Sequence, residues 1–217
     1  MRIILTADGS HSLESSIEAE AYHSVNGALQ ESQHVFIGAG LKAIKETTLN
    51  ILEIGFGSGL NALLTLLEAE KEGLNVYYEA IEKYPIESDI VNQLNYCEIL
   101  NISKEQYFFP LHTCAWDKEF SITDSFTLKK CKADLCLYHS LCNNFNLVYF
   151  DAFSPDTQPE LWSVDVFSNI YQRMQRGGVL VTYSSKGIVK RNLRDVGFTI
   201  ERLAGAKGKR HMLRAVK

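Results

Sequence analysis

The sequence contains no C-x-x-C pair and no H-E-x-x-H run. Its five cysteines (Cys97, Cys114, Cys131, Cys136, Cys142) are odd in number and form no C-x-x-C pair, so neither a disulfide framework nor a zinc site is suggested. Reduced thiols and no metal are expected. No stretch approaches the roughly 18 apolar residues of a membrane span, and the opening run Met1-Arg2-Ile3-Ile4-Leu5-Thr6-Ala7-Asp8 has no signal-peptide core. The expected location is cytoplasmic, with no membrane partner. Internal repeats and low-complexity linkers are also missing. The 217 residues, 46% of them hydrophobic, suffice to bury a full core, so a single domain 1–217 is expected, with an N-terminal extension over 1–44 and a core over 45–217.

Positive charge is scarce in most of the chain. The formal net charge is −4, yet residues 186–217 hold ten basic side chains against Asp195 and Glu201, leaving twelve basic and 24 acidic residues in the first 185. Such a run is either an ordinary solvated face or a surface for a polyanion.

The central signal is Leu49-Asn50-Ile51-Leu52-Glu53-Ile54-Gly55, a short apolar run ending in glycine, followed by Leu60 to Ala69, rich in helix formers. Further strands are expected over 75–82, 126–134, 146–153 and 178–184, with helices over 85–94, 159–174 and 186–196. Alternating strands and helices imply a doubly wound, mostly parallel sheet that takes its ligand at the carboxyl edge. After Gly197, runs at 198–203 and 211–216 read as an antiparallel pair of C-terminal strands. The fold class is therefore α/β, Rossmann-like, in the form seen in class I methyltransferases. In the extension, a turn is expected at Ala7-Asp8-Gly9-Ser10 and a strand near His34-Val35-Phe36-Ile37; residues 95–125 read as an irregular insertion.

The loop Glu53-Ile54-Gly55-Phe56-Gly57-Ser58-Gly59 lets backbone pass close to a ligand and presents free helix N–H groups. A dinucleotide fingerprint would place its last glycine at position 60, which is Leu60. A smaller nucleoside cofactor with an amino-acid end fits better, namely S-adenosylmethionine, with Glu53 near its ammonium or acting through water. Glu82, ending the next strand, is suited to the two ribose hydroxyls. Asp134 is either a contact for the adenine amino group or a turn residue. Asp151, at the end of the run Asn146 to Phe150, is placed for chemistry. A protonated amine must lose a proton before it attacks a methyl group, and a carboxylate there can accept that hydrogen bond and orient the lone pair. Phe153 and Pro155 either wall the pocket or serve local packing.

With these residues in place, the chain resembles the methyltransferase part of the MnmC family of tRNA 5-methylaminomethyl-2-thiouridine biosynthesis. The resemblance runs through Tyr22-His23-Ser24, the glycine loop with Leu60-Asn61, Glu82-Lys83-Tyr84-Pro85, Asp151-Ala152-Phe153-Ser154-Pro155, Pro159-Glu160-Leu161-Trp162-Ser163, Thr182 to Leu193 and Gly208-Lys209-Arg210-His211-Met212. It implies N-methylation of the aminomethyl group of 5-aminomethyl-(2-thio)uridine at the tRNA wobble position. The cofactor contacts it implies are Glu53, Gly55, Phe56, Gly57, Ser58, Gly59, Asn61, Glu82, Lys83, Asp134 and Asp151, with Asp151 also catalytic. On the substrate side stand Tyr22, Phe153 and Pro155, while Lys186, Lys190, Arg191, Lys207, Lys209 and Arg210 would meet RNA phosphates. Trp162 is a second candidate for stacking on a base, with core packing as its alternative. The sequence departs from the family pattern at Ser154, Ile188 and Lys190-Arg191-Asn192. Bifunctional relatives continue into a flavin-dependent oxidoreductase, so a separate oxidoreductase is expected to supply the aminomethyl substrate. Two alternatives remain: a methyl- or aminopropyltransferase acting on a small free amine, and a non-catalytic nucleic-acid-binding module.

Overall fold

The structure, a computed structural model, describes residues 1–15, 20–138 and 142–217. It opens with the hairpin β1 (Arg2–Leu5) and β2 (His11–Glu14), whose antiparallel pairing closes through a turn at Thr6–Ser10. There follow α1 (Ala28–Ser32), β3 (Thr48–Ile54), α2 (Leu60–Glu72), β4 (Asn75–Glu82), α3 (Ser88–Gln93), α4 (Tyr96–Leu100), α5 (Phe109–Thr113), β5 (Glu119–Thr123) and β6 (Phe126–Lys132). The chain ends with β7 (Phe145–Phe150), α6 (Val164–Arg173), β8 (Met174–Thr182), α7 (Gly187–Val196), β9 (Thr199–Ala204) and β10 (His211–Val216).

The main sheet has the order β5-β6-β4-β3-β7-β8-β10-β9. Its inner strands β6, β4, β3, β7 and β8 are all parallel, whereas β10 runs antiparallel to both β8 and β9. The expected mixed α/β plan and its antiparallel carboxyl end are therefore present. An unforeseen antiparallel strand, β5, extends the other edge by pairing with β6.

Strand periodicity divides the core in two. Ile51, Tyr78, Leu147, Tyr149 and Val181 pack with residues of α1, α2, α4 and α5. Leu52, Ile54, Val148, Phe150 and Leu180 face α6 and α7. With helices on both faces, all six residues of β7 are buried, which is why that segment reads as an unbroken apolar run. Strand order reverses at β3, whose neighbours are β4 and β7. Such a reversal opens a crevice at the carboxyl edge, and Gly55 and Asp151 follow the two strands that flank it.

Several boundaries differ from expectation. His34 to Ile37 is not a strand: Gln33–Gly38 continues α1 as a wide π-helical turn with Val35, Phe36 and Ile37 buried. A short apolar run has no period of its own, and here the Phe36 ring finds Tyr149 at 5.2 Å. The helix expected from Pro85 begins at Ser88, and the one expected from Pro159 is a 3₁₀ turn (Pro159–Trp162) broken before α6, where the Ser163 hydroxyl caps Val166 N–H. β8 begins at Met174 rather than at 178. The 95–125 insertion is ordered, carrying α4, a π-helical turn at Lys104–Phe108, α5 and β5.

Candidate active site

A cleft of about 450 Å³ lies over the carboxyl ends of β3, β4 and β7. Of the residues expected to bind the cofactor, Gly55, Phe56, Gly57, Ser58, Asn61, Glu82, Lys83, Asp134 and Asp151 line it. So do Tyr22 and Phe153 from the expected substrate side, their rings edge to face at 5.1 Å.

The loop between β3 and α2 has its three glycines at φ 87°, 48° and 73° for Gly55, Gly57 and Gly59. A Cβ on Gly55 would sit 2.7 Å from the Asp151 carbonyl oxygen, so the loop passes directly over the start of the segment after β7. At Gly59 a Cβ would meet His112 Nε2 at 2.8 Å. This is a cradle that side chains would fill, opening onto the first turn of α2.

Glu82 closes one side of the cradle. Its Oε2 accepts from Gly57 N–H at 3.0 Å and its Oε1 from Tyr84 N–H at 2.8 Å, while burial raises its pKa. Asp134 lies past the end of β6; it pairs with Lys83 at 2.9 Å and accepts from Cys136 N–H at 3.0 Å. The Lys83 ammonium holds the Asp134 carboxyl below its usual range. Both residues thus line the cleft as a neutralised pair beside the apolar Ala133 and Leu135.

Asp151 follows β7, and its backbone N–H donates to the Ile54 carbonyl at 3.0 Å, which fastens it beside the glycine loop. Asn61 Nδ2 donates to its Oδ2 at 2.8 Å. Burial pushes the Asp151 pKa up to about 7, Asn61 and Lys209 opposing that rise and Glu31 adding to it. The carboxyl group is thereby poised to exchange a proton near neutrality.

Glu53 is placed differently from its neighbours. It is fully buried and does not line the cleft, and neither carboxyl oxygen has a hydrogen-bond partner among the described residues. Tyr78 and Asn61 are its near neighbours without a formed hydrogen bond, and burial raises its pKa well above the usual carboxylate range. Gly59 and Pro155 also lie off the cleft wall.

The basic residues divide. Lys209 lines the cleft, pairs with Glu31 at 2.5 Å and lies 4.1 Å from the Tyr183 ring centroid, so its charge already has a partner within the protein. Lys186 pairs with Asp156. Lys190, Arg191, Lys207 and Arg210 lie outside the cleft, and none forms an ion pair among the described residues. Lys190, Arg202 and Arg210 come close enough together to depress the pKa of His211, although burial is the larger cause. Trp162 is core: 1% exposed, its indole N–H donates to the Phe153 carbonyl at 2.9 Å.

Sequence reasoning assigned no role to Glu20, Glu31 or Tyr183, all of which line the cleft. Glu31 accepts from Ser24 N–H at 2.7 Å, Glu20 from Ser154 N–H at 3.2 Å, and the Tyr183 hydroxyl donates to the Ala152 carbonyl at 2.9 Å. The links of Glu20 and Tyr183 join residues 134 and 31 positions apart, and no local pattern announces them.

Three features fit a nucleoside cofactor with an amino-acid end: the glycine cradle, a carboxylate at the end of the adjacent strand, and the buried Asn61 Oδ1, which has no protein partner among the described residues. A family model described as S-adenosyl-L-methionine-dependent methyltransferase matches residues 96–217. The chain belongs to that family. The methyltransferase is 28% identical over 222 residues to the tRNA 5-methylaminomethyl-2-thiouridine biosynthesis bifunctional protein MnmC of Legionella pneumophila (strain Corby), with 89% of this chain and 33% of that protein covered. Its counterpart in Pseudoalteromonas atlantica is 30% identical over 241 residues, covering 99% of this chain and 33% of that protein. The chain thus spans about a third of the length of the curated relatives it matches. Among solved structures, MnmC2 from Aquifex aeolicus superposes with a TM-score of 0.82 at 28% identity, over 99% of this chain and 69% of that one. Spermidine synthase from Thermotoga maritima, with a TM-score of 0.52 at 12% identity, covering 99% of this chain and 72% of that one, shares the fold alone. No helix among the described residues is long and apolar enough to cross a membrane.

Proposed function

We propose that this methyltransferase transfers a methyl group to the primary amine of 5-aminomethyl-(2-thio)uridine at the wobble position of tRNA, in the cytoplasm. The single observation that carries the reading is Asp151, a carboxyl group with a pKa near 7 held by Asn61 in the wall of the cleft that the cofactor cradle shares. The names of the relatives, which concern biosynthesis of 5-methylaminomethyl-2-thiouridine in tRNA, supply the acceptor.

When bound, S-adenosylmethionine supplies an electrophilic methyl group on sulfur. Gly55, Phe56, Gly57, Ser58, Gly59 and Asn61 would hold it, with Glu82 on the ribose hydroxyls and Asp134, beside Lys83, at the adenine. Asp151 accepts a hydrogen bond from the acceptor amine, takes its proton near neutral pH and aims the lone pair. Tyr22 and Phe153 stack against the uracil ring and narrow the access of water. Lys190, Arg191, Lys207 and Arg210, cations without an ion-pair partner among the described residues, meet phosphates. The substrate requires an oxidative step that removes a carboxymethyl group and leaves the primary amine, performed by an oxidoreductase.

The test is incubation with labelled S-adenosylmethionine and tRNA from cells lacking the modification, followed by nucleoside analysis. Label in 5-methylaminomethyl-(2-thio)uridine supports the reading. Unlabelled tRNA together with methylated free amines would transfer it to the small-amine alternative.

A further inference from the structure

Behind the cofactor loop lies a lysine without a counter-ion. Lys130, on β6, is fully buried, and no carboxylate among the described residues pairs with it. Its Nζ donates to the His112 carbonyl at 2.6 Å, at the last turn of α5, and sits 4.7 Å from the Trp116 ring centroid and 5.6 Å from that of Phe56. A cation suits a helix carboxyl end and aromatic faces, but removal from water still disfavours it. Burial accordingly lowers the Lys130 pKa, and the neighbouring Cys114 thiol is itself held protonated by burial.

The partner of Lys130 touches the loop. His112 Nε2 lies 3.2 Å from the Ser58 carbonyl, which can only accept, so that nitrogen carries the proton. Burial pushes the His112 pKa down to about 3, which keeps the ring neutral. The same ring blocks any side chain at Gly59 and packs edge to face on Phe56 at 5.4 Å. From α4, the Tyr96 hydroxyl donates to Ser58 Oγ at 3.1 Å. The insertion thus reaches Ser58 and Gly59 from behind, opposite the cleft that Phe56 and Ser58 line.

We propose that Lys130 is a positioning residue for cofactor binding, its ammonium fixing the end of α5 so that His112 holds the Ser58–Gly59 segment in its binding conformation. The insertion between β4 and β6 is then a buttress for the loop, and Lys130 is its latch. Substrate choice does not enter, because the effect is read on the cofactor alone.

Titration calorimetry with S-adenosylmethionine tests this on Lys130→Met, His112→Phe and the double variant, with melting temperatures and steady-state constants alongside. His112→Phe keeps the ring packing but removes the donor to Ser58. Each single variant should weaken cofactor binding about tenfold, the effect expected of one hydrogen bond from a charged or well-oriented donor, with KM for the cofactor following and kcat within about twofold. The double variant should be no weaker than the worse single one, because both act along one path. Lys130→Met should melt no lower than the parent, since it removes an unpaired buried charge. Cofactor affinity unchanged in either single variant, effects that multiply in the double, or a Lys130→Met chain that does not fold would each overturn the proposal.

Discussion

Asn61 donates a 2.8 Å hydrogen bond to Asp151, joining the first turn of α2 to the end of β7 across 90 residues of sequence. The two side chains form one unit: α2 opens the cofactor cradle, and the residue it touches is the acid proposed to receive the amine's proton. The bond favours the charged carboxylate, against a burial that favours the neutral acid.

Activity should therefore rise with pH through a midpoint near 7, because Asp151 is protonated below that value and accepts a proton above it. Replacing Asn61 by Ala removes the stabilising donor, and the acidic limb of the kcat/KM profile should move to higher pH. An unmoved limb would assign it to another group.

Asp151→Ala should lower kcat by about 100-fold or more, the scale of general base catalysis. Binding of S-adenosylmethionine should be nearly unchanged, as calorimetry would read it. Equal damage to both would make Asp151 a cofactor residue only.

Stability should respond to the same carboxyl with a definite sign. The folded-state pKa of about 7 exceeds the ordinary value of an exposed aspartate, so the contribution is fully present below the unfolded pKa and disappears as pH rises through about 7. Asp151→Asn avoids that decline. Its melting temperature relative to the parent should increase between pH 6 and pH 8, by roughly 2–4 °C for each kcal/mol recovered. Scanning fluorimetry at the two pH values measures it.

Gly55→Ala should both destabilise the chain and weaken cofactor binding. The residue has φ 87°, and the new Cβ would lie 2.7 Å from the Asp151 carbonyl oxygen. The conformation alone costs about 1–2 kcal/mol for an L-residue, and the clash pushes apart the two segments that form the cleft. A normal melting temperature with normal cofactor affinity would contradict this account of the loop.

The basic side chains should separate by experiment as they do in space. Lys190→Ala with Arg210→Ala should raise the tRNA KM and reduce the slope of log affinity against log salt by roughly 0.7–0.9 for each phosphate no longer neutralised. Lys209→Ala should leave that slope unchanged, since Glu31 already neutralises Lys209 at 2.5 Å. The reverse pattern would put Lys209 on the RNA face.

The alternation of strands and helices from β3 onward outside residues 95–125, the glycine loop and the positions of Glu82 and Asp151 at strand ends were legible in the chain alone. Each rests on a pattern a few residues long: apolar runs that must be buried, glycines where φ is positive, and a polar residue where a strand stops. The same local logic failed at Val35-Phe36-Ile37, because an apolar triplet is equally content in a helical turn, and only its packing against Tyr149 selects that conformation.

Other matters were decided only when distant segments met. Lys209 read as a phosphate ligand until Glu31, 178 residues away, came within 2.5 Å of it. Nothing around Lys130 marks it as a buried cation beneath the cofactor loop, and Glu53 gives no sign that its carboxyl lies behind that loop without a partner among the described residues. Backbone conformation is governed by neighbours in sequence, so it shows in the sequence. The state of a charged side chain depends on whether water or a buried group faces it, and only the packed tertiary structure settles that.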